Sequence, residues 1–312
     1  MLDATLNTEV QDFLDQFGQA LERGDIDAVV NMFQADSYWR DLVTFTWNIR
    51  TMEGHEQIRD MLSSQLGTPK PTGWRIAEGE PVSEEGGITT AWISFETEVA
   101  RGYGLVRLKD GLIWTLLTSM TELKGHEEPL GYERPLGAKH GAGKGRLSWA
   151  EEREKEHKEL GYTTQPYTVI IGGGQGGIAL GARLRQLGVP TIIVEKNERP
   201  GDSWRKRYKS LCLHDPVWYD HLPYLPFPAN WPVFSPKDKI GDWLEMYTKV
   251  MELNYWTRAT VEHASYDEDA KEWTVTVDRD GEQVTLRPKQ LVFAPGMSGK
   301  ANIPDFPGLD TF

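Results

Sequence analysis

The sequence of 312 residues has one cysteine, no long hydrophobic run and fewer basic than acidic residues. Cys212 cannot form an internal disulfide, which favours a reducing compartment and excludes chemistry that needs a Cys-x-x-Cys dithiol. No apolar run approaches the roughly 20 residues of a membrane span. The acidic N-terminus, MLDATLNTEVQDF, differs from a basic signal peptide. The net charge of −13 argues against nucleic-acid binding and against docking on anionic lipid. We therefore expect a cytoplasmic protein without a nucleic-acid or membrane partner.

Residue patterns typical of metal sites are missing as well. The seven histidines show no ligand spacing for zinc, and a single cysteine makes a structural metal site unfavourable. Cys212 lies between two leucines and is expected to be a small buried hydrophobic residue rather than a nucleophile. The sequence predicts no metal.

The charge is distributed unevenly along the chain. Residues 1–124 contain 20 acidic and 10 basic residues, whereas the rest of the chain carries a net charge of only −3. A chain of this length is typical of two domains. The stretch KHGAGKGR is rich in Gly and Lys, as linkers are, and the charged run WAEEREKEHKEL follows it. We expect a first domain over 1–124, a linker with a charged surface helix over 125–165, and a second domain over 166–312.

The first 124 residues predict helices followed by antiparallel strands. Apolar residues recur at helical spacing up to Gly24, and Asp25 is expected to cap a second short helix that extends to Phe33. In ITTAWISFETEVA, one face collects Ala91, Ile93, Phe95 and Val99 at a period of two, and Asp110-Gly111 favours a hairpin. Over about residues 5–123 this pattern resembles the NTF2-like, or SnoaL-like, α+β cone.

Members of that superfamily enclose a pocket between sheet and helices, and some are isomerases or cyclases. Five side chains are candidates to line such a pocket: Tyr38, Trp39, Arg40, Asp41 and His55. Their spacing is not diagnostic of acid–base chemistry. The alternative, which the sequence favours, is that they pack or face solvent and that the domain is an accessory or dimerising module.

The most informative stretch is VIIGGGQGGIALGARLRQLG, in which a glycine-rich loop joins an apolar strand to a helix. Gly172, Gly174 and Gly177 form G-x-G-x-x-G: the first permits a tight turn, the second a close approach to a pyrophosphate, and the third close helix–strand packing. The strand VPTIIVEK follows and ends at Glu195, 23 residues after Gly172. An acid there binds a ribose 2′-hydroxyl and disfavours a 2′-phosphate. The loop therefore suits FAD or NAD rather than NADP.

The residues that follow favour FAD over NAD. An NAD-binding domain continues into another βα unit, but here an aromatic, proline-rich stretch intervenes. Ser235-Pro236 is expected to start a helix with Ser at the cap and Pro in the first turn. Three strand-like segments, ATVEHASY, EWTVTVD and QVTLR, then predict a meander, and LVFAPG predicts a returning strand. This order looks like the FAD domain of two-dinucleotide flavoproteins.

The motifs GGGQGG, PGDSWRKRYKSLCLHDP, FSPKDKIGDWLE and LVFAPGMSGKANIPDFPG, with Glu195, together resemble the flavin-containing monooxygenases, closest to those with an NTF2-like domain before the flavin domain. The resemblance implies an α/β Rossmann-type FAD domain with a β-meander. In such enzymes NADPH reduces the flavin, which reacts with O₂ to give a C4a-hydroperoxyflavin. That species transfers one oxygen atom to a small organic substrate.

The resemblance also implies a set of cofactor-binding residues, while no catalytic residue is assigned. The glycine loop would hold the pyrophosphate, Glu195 and Lys196 the adenosine ribose, and the loop before Trp204 would cover the flavin. His214 and Asp215 lie in the stretch that approaches the flavin ring in relatives. The complete set is Gly172, Gly174, Gly176, Gly177, Glu195, Lys196, Gly201, Ser203, Trp204, His214 and Asp215.

The chain departs from the family pattern at three places. Pro295 stands where the family has Thr, which removes an N–H and a hydroxyl, and Asp215 stands about where many relatives have Asn. Relatives continue through F-x-G-x-x-x-H and a second G-x-G-x-x-G for NADPH, whereas this sequence stops at Phe312. We expect a chain truncated before the NADPH domain. Two alternatives stay open: another FAD/NAD(P)H oxidoreductase outside the disulfide reductases, or a non-enzymatic ligand-binding module.

Overall fold

The computed structural model describes residues 2–137, 143, 145–297, 302, 304–309 and 311. The chain divides into two compact units, Met1–Glu127 and Glu128–Phe312. Most of KHGAGKGR, part of LVFAPGMSGKANIPDFPG, and Phe312 lie outside the described residues. Among the described residues, no helix is both long and apolar enough to cross a lipid bilayer.

The N-terminal unit places three helices against one mainly antiparallel sheet. The sheet has the strand order β2-β1-β7-β6-β5-β3, with β4 paired to β5, and only the β1–β7 pair is parallel. The elements are α1 (Leu2–Glu22), α2 (Ile26–Asn31), β1 (Phe33–Leu42), β2 (Ile49–Glu53), α3 (Gly54–Gln65), β3 (Thr72–Ile76), β4 (Ser83–Glu85), β5 (Ile88–Glu96), β6 (Ala100–Lys109) and β7 (Leu112–Leu123).

Two boundaries in this unit lie where the sequence predicts them. Asp25 caps α2 by accepting a hydrogen bond from the Ala28 amide, and Asp110-Gly111 turns between β6 and β7. Two expectations were wrong. Phe33 lies in β1 rather than in the helix, and Val99 lies beyond the end of β5 and is exposed. The alternation fails at Val99 because the chain has already turned after Glu96.

The C-terminal unit begins with a short 3₁₀ turn, Gly131–Glu133, and contains four helices and seven strands among its described residues. They are α4 (Trp149–Glu159), β8 (Thr168–Ile171), α5 (Gln175–Gln186), β9 (Thr191–Val194), α6 (Asp202–Arg205), α7 (Lys237–Val250), β10 (Tyr255–Trp256), β11 (Ala259–Asp267), β12 (Glu272–Arg279), β13 (Glu282–Leu286) and β14 (Gln290–Phe293).

A parallel four-stranded sheet lies between two layers in this unit. Its order is β10-β9-β8-β14, and β11-β12-β13 form the expected antiparallel meander. Because alternate side chains of a strand point to opposite faces, Ile170 and Ile193 pack with the helical layer of α5 and α7. Val169 and Ile192 pack with the meander instead. The glycine loop follows β8 and therefore lies at the carboxyl ends of the strands of a sheet that is covered on both faces.

Strand β10 is a parallel strand that the sequence did not predict. Helix α7 leads into β10, which pairs in parallel with β9, so β9, α7 and β10 form a second βαβ unit whose crossover contains the aromatic segment. Because β10 has only two residues, the sequence shows no alternation of apolar and polar residues that could predict this strand. The start of α7 also differs: Pro236 occupies the cap position, and the Ser235 hydroxyl donates to the Pro232 carbonyl instead.

Candidate functional site

The glycine loop leaves β8 at the carboxyl edge of the parallel sheet, and two of its glycines are required by packing. Gly172 has φ +106°, and a Cβ on it would lie 2.3 Å from the Ala294 carbonyl oxygen. A Cβ on Gly177 would lie 2.0 Å from the Gly172 carbonyl oxygen. Real Cβ atoms do not make such contacts, so Gly172 lets the loop pack on the end of β14 and Gly177 lets the first turn of α5 pack on the loop.

Two other glycines face open space instead. A Cβ on Gly174 would meet only the Ser203 hydroxyl, at 4.0 Å, and a Cβ on Gly176 would meet nothing within 4 Å. The first hydrogen bond of α5 runs from the Ile178 amide to the Gly174 carbonyl. Helix geometry therefore leaves the preceding amides without an intrahelical acceptor, next to the positive end of the helix dipole. Such an arrangement binds phosphate groups.

Glu195 lies directly after β9 and is buried beside the loop. One carboxylate oxygen, Oε2, accepts the Gly173 amide at 2.8 Å. The other, Oε1, accepts the backbone and side-chain N–H groups of Asn197 at 2.9 and 2.6 Å. A carboxylate has about four acceptor positions, so one remains for a ligand hydroxyl. Glu195 thus braces the loop as well as facing the cavity.

A cavity of about 890 Å³ opens in front of the loop. Its walls come from the glycine loop, the end of β9, α6, the start of β11 and the turn after β14. Three cationic side chains, Lys196, Lys206 and Arg207, line it together with the acids Glu195 and Asp202. The remaining lining residues include Ile171, Val194, Leu211, Ala259, Thr260, Val261, Ala294, Pro295, Gly296 and Met297. Pro295, the departure from the family pattern, therefore lies in the cavity wall.

The predicted site residues fall into three groups. Seven of them line the cavity: Gly172, Gly174, Gly176, Glu195, Lys196, Ser203 and Trp204. Gly177 and Gly201 support it through the backbone, since a Cβ on Gly201 would lie 2.2 Å from the Gly241 carbonyl oxygen. His214 and Asp215 do not line it. Both are exposed, because the chain turns away after Leu211 and buries Leu213, whose amide donates to the Ser235 carbonyl.

Trp204 and Arg205 attach the short helix α6 to its neighbours. The Trp204 indole Nε1 donates to Gln175 Oε1 at 3.1 Å, which brings α6 over the start of α5. The Arg205 guanidinium bonds to Asp202, Asp242 and Glu245, and also to the Pro200 carbonyl. Arg205 therefore ties the segment of Ser203 and Trp204 to α7. The sequence offered no sign of this, because its partners are up to 40 residues away.

Tyr255 on β10 is a further site residue that the sequence did not indicate. Its hydroxyl donates to the Gly173 carbonyl oxygen at 2.7 Å. Burial raises the pKa of this hydroxyl well above its ordinary value, and the charges of Glu195 and Asp202 raise it further. The hydroxyl therefore stays protonated and able to donate.

The five candidate pocket residues of the N-terminal unit do not converge. Alternation along β1 buries Trp39 and Asp41 and leaves Tyr38 and Arg40 exposed. The His55 ring nitrogen Nε2 lies 2.9 Å from the Phe33 carbonyl oxygen. These residues therefore cannot form the single pocket that the sequence analysis considered.

Asp41 has a structural role in that unit. Its carboxylate accepts hydrogen bonds from the amides of Phe45 and Thr46 and from the Thr118 hydroxyl, which in turn accepts the Trp39 indole N–H. A buried carboxylate with this many donors is satisfied in place. It holds the turn between β1 and β2.

The remaining candidates for chemistry are Cys212 and groups of metal-ligating side chains. Cys212 is half-buried rather than fully buried, next to a bridge with Pro236. In the part of the chain that the structure describes, no three His, Cys, Asp or Glu side chains come together so that they could hold a metal ion.

Comparison with known proteins matches the C-terminal unit. Residues 166–312 match the family model of the pyridine nucleotide-disulphide oxidoreductases. Indole-3-pyruvate monooxygenase YUCCA1 of Oryza sativa subsp. japonica is 36% identical over 159 residues, which are 51% of this chain and 38% of that protein. Probable indole-3-pyruvate monooxygenase YUCCA9 of Arabidopsis thaliana is 35% identical over 144 residues, 46% of this chain and 34% of that protein.

Among solved structures, the flavin-containing monooxygenase from Stenotrophomonas maltophilia aligns with a TM-score of 0.41 and 28% identity. The alignment covers 47% of this chain and 43% of that one. The chain thus spans less than two fifths of the length of the two curated relatives described above. Over this C-terminal segment the chain is similar in sequence to the indole-3-pyruvate monooxygenases.

Proposed function

We propose that the C-terminal unit is the FAD-binding part of a monooxygenase that uses NADPH and O₂ to insert one oxygen atom into a small organic substrate. The observation that carries this proposal is the open glycine loop, which presents the start of α5 to a large cavity beside Glu195. Relatives of this segment are named as monooxygenases.

The residues present are compatible with FAD. Gly174 and Gly176 leave room for a pyrophosphate at the start of α5, and Glu195 retains an acceptor position for a ribose hydroxyl. The cavity volume of about 890 Å³ lies within the ~300–1,000 Å³ typical of ligand sites. Ser203 and Trp204 lie where they would cover the bound cofactor. When bound, the flavin supplies the redox chemistry, and the chain binds, orients and shields it.

FAD rather than NADPH is proposed as the ligand of this cavity. The Glu195 carboxylate is buried and fixed by three N–H donors, so it cannot move away from a 2′-phosphate at the ribose. Two negative groups in contact inside a partly buried site repel each other strongly. NADPH is therefore assigned the role of co-substrate, held mainly by residues other than these.

The substrate class follows from the relatives only. Two of them carry indole-3-pyruvate in their names. A 2-oxo acid with an aromatic side chain is therefore the first substrate to assay, with sulfides, amines and ketones as comparisons. Of the two alternatives, a reductase without oxygen insertion would consume NADPH and leave each of these compounds unchanged.

For the N-terminal unit we propose an NTF2-like, or SnoaL-like, fold that serves as an accessory or dimerising module. Three helices against a mainly antiparallel sheet support this assignment. Aromatic rings fill the space between the helices and the sheet. Trp74 stacks on Phe95 with 4.3 Å between the ring centroids, and Phe17 contacts Trp74 edge-on with 5.0 Å between the centroids. A catalytic pocket is therefore not proposed there. Sedimentation of the purified chain tests whether it forms a homodimer.

Binding of FAD tests the proposed function directly. We expect the purified protein to bind FAD and Gly174→Ala to weaken binding at least about tenfold, ~1.4 kcal/mol. The new methyl has room in the protein but occupies the approach to the pyrophosphate. The measurement is a fluorescence titration with FAD, alongside urea unfolding without ligand.

Gly67→Ala provides the matched control, because a Cβ there meets nothing within 4 Å and a Cβ on Gly174 meets only the Ser203 hydroxyl at 4.0 Å. Both variants should unfold within ~0.5 kcal/mol of the wild type, and only Gly174→Ala should lose FAD. Failure of the wild type to bind FAD, or equal binding by Gly174→Ala, would contradict the proposed site.

A further inference from the structure

Gly173 is the one residue of the glycine loop whose two backbone polar groups are both bound by side chains from neighbouring strands. Its amide donates to Glu195 Oε2 at 2.8 Å, and its carbonyl accepts from the Tyr255 hydroxyl at 2.7 Å. Glu195 directly follows β9, and Tyr255 begins β10, the next strand of the sheet. Side chains from two adjacent strands thus hold the two peptide units on either side of the Gly173 Cα.

The Tyr255 contact also explains why position 173 is glycine. A Cβ there would lie 2.0 Å from the Tyr255 hydroxyl oxygen and 2.4 Å from the ring carbon that carries it. The ring is held at that place because β10 pairs with β9, with Tyr255 opposite Ile193. Position 173 must therefore be glycine while tyrosine occupies position 255.

Holding the Gly173 carbonyl sets the direction of the next amide. The peptide unit is planar and trans, so the Gly173 C=O and the Gly174 N–H point in opposite directions. Three consecutive glycines, Gly172 to Gly174, have little intrinsic preference that would keep this peptide from rotating. An oxygen bound by Tyr255 fixes the Gly174 N–H on the opposite side of the peptide, and Gly174 lines the cavity.

We propose that Tyr255 is a positioning residue for diphosphate binding: it fixes the Gly173–Gly174 peptide, as Glu195 fixes the Gly172–Gly173 peptide, so that the loop amides are aligned before the ligand arrives. This inference rests on the proposed FAD site. It goes beyond that site by assigning a role to a strand that lies two positions from the glycine loop strand in the sheet. A loop that is already ordered loses less conformational entropy when the ligand binds, so the binding free energy is more favourable.

Tyr255→Phe tests this role because it removes one hydroxyl and keeps the ring. We expect the variant to weaken binding of FAD and of ADP about tenfold. Binding of adenosine, which has no phosphate, should be unchanged. A merely structural effect would instead weaken all three ligands alike. The measurement is isothermal titration of each ligand against the full chain.

Tyr247→Phe is the matched control. Tyr247 is buried, and its hydroxyl donates to the Pro223 carbonyl at 2.5 Å, so its loss removes the same kind of bond away from the cavity lining. This variant should retain wild-type affinity for FAD and ADP. Gly173→Ala breaks the Tyr255 contact in a second way and should show the same selective loss of the phosphate-containing ligands.

The outcomes separate the two proposals. Wild-type affinity for ADP in both Tyr255→Phe and Gly173→Ala would overturn the positioning role and leave the FAD site standing. Equal losses of adenosine and ADP would also overturn it. A wild-type protein that binds neither FAD nor ADP would overturn the proposed function, and the role of Tyr255 with it.

Discussion

Some residues of the glycine loop are required for packing within the protein, and others leave space for a ligand. Gly172 and Gly177 are required by packing against backbone atoms at 2.3 and 2.0 Å, whereas Gly174 and Gly176 face open space. Glu195 serves both purposes, since it braces the Gly173 and Asn197 amides and faces the cavity. Removing its charge therefore affects the empty protein as well as ligand binding.

We expect Glu195→Gln to lower the free energy of unfolding by about 1–3 kcal/mol in the absence of any ligand. The amide NH₂ must face either the Gly173 N–H or the two Asn197 donors, so at least one buried donor loses its acceptor. Urea unfolding measures the change. Glu198→Gln is the control: its exposed carboxylate lies 3.7 Å from Arg258, so it should change stability by less than ~0.5 kcal/mol. Equal stability of the two variants would contradict the bracing role of Glu195.

At the scale of elements, helix α7 supports α6, whose residues Ser203 and Trp204 line the cavity. Arg205 joins α6 to α7 through Asp242 and Glu245, and the Gly201 backbone packs directly on Gly241. Tyr247 lies on the buried face of α7, and its hydroxyl bonds to the Pro223 carbonyl in the aromatic segment. This hydrogen bond joins the aromatic segment to α7 in addition to the ring contacts of Trp243 with Phe227 and Trp231.

This contact predicts loss of stability at alkaline pH. Burial raises the pKa of Tyr247 to about 12, with a further contribution from Tyr224. In the unfolded chain a tyrosine loses its proton near pH ~10. The stability linked to Tyr247 should be complete below about pH 10 and disappear progressively as the pH approaches 12. Thermal unfolding from pH 8 upward measures it, and Tyr247→Phe should make the decline shallower. The same slope in both proteins would show that Tyr247 is not responsible.

At the scale of the whole molecule, the two units have separate hydrophobic cores, and only the C-terminal unit contains the candidate ligand site. The N-terminal core lies between Val10 and Leu116 in the sequence and is rich in aromatic residues. The C-terminal unit has two cores, one on each face of the parallel sheet. The glycine loop and the cavity belong to the C-terminal unit alone.

We expect the 312-residue chain, supplied with FAD, to oxidise NADPH no faster than free FAD does. The sequence contains one complete glycine fingerprint, and its Glu195 disfavours the 2′-phosphate of NADPH. Hydride transfer also needs the nicotinamide held close to the flavin, which requires a binding site of its own. Loss of NADPH absorbance under air measures the rate, with a monooxygenase that has both fingerprints as the positive control. Rapid turnover by this chain would favour the simple-reductase alternative.

Much of the fold could be predicted from local patterns in the chain. The glycine loop between strand and helix, the cap at Asp25, the turn at Asp110-Gly111 and the meander all depend on residues close together in sequence. Their conformations follow from backbone freedom and short-range hydrogen bonds. Prediction from residue patterns was wrong or impossible where a strand was very short, as at β10, or ended early, as β5 does before Val99.

The amino-acid sequence by itself determined the parallel βα unit, the open glycines at 174 and 176, and the acid that follows the second strand. Only the tertiary structure decided how these parts are held. It placed Tyr255 against Gly173 across 82 residues, tied Arg205 to α7, and turned His214 and Asp215 away from the cavity. Such contacts depend on the order of strands in the sheet and on which helix packs beside which loop. No periodicity along the chain records that order, because it arises only when distant segments share one core.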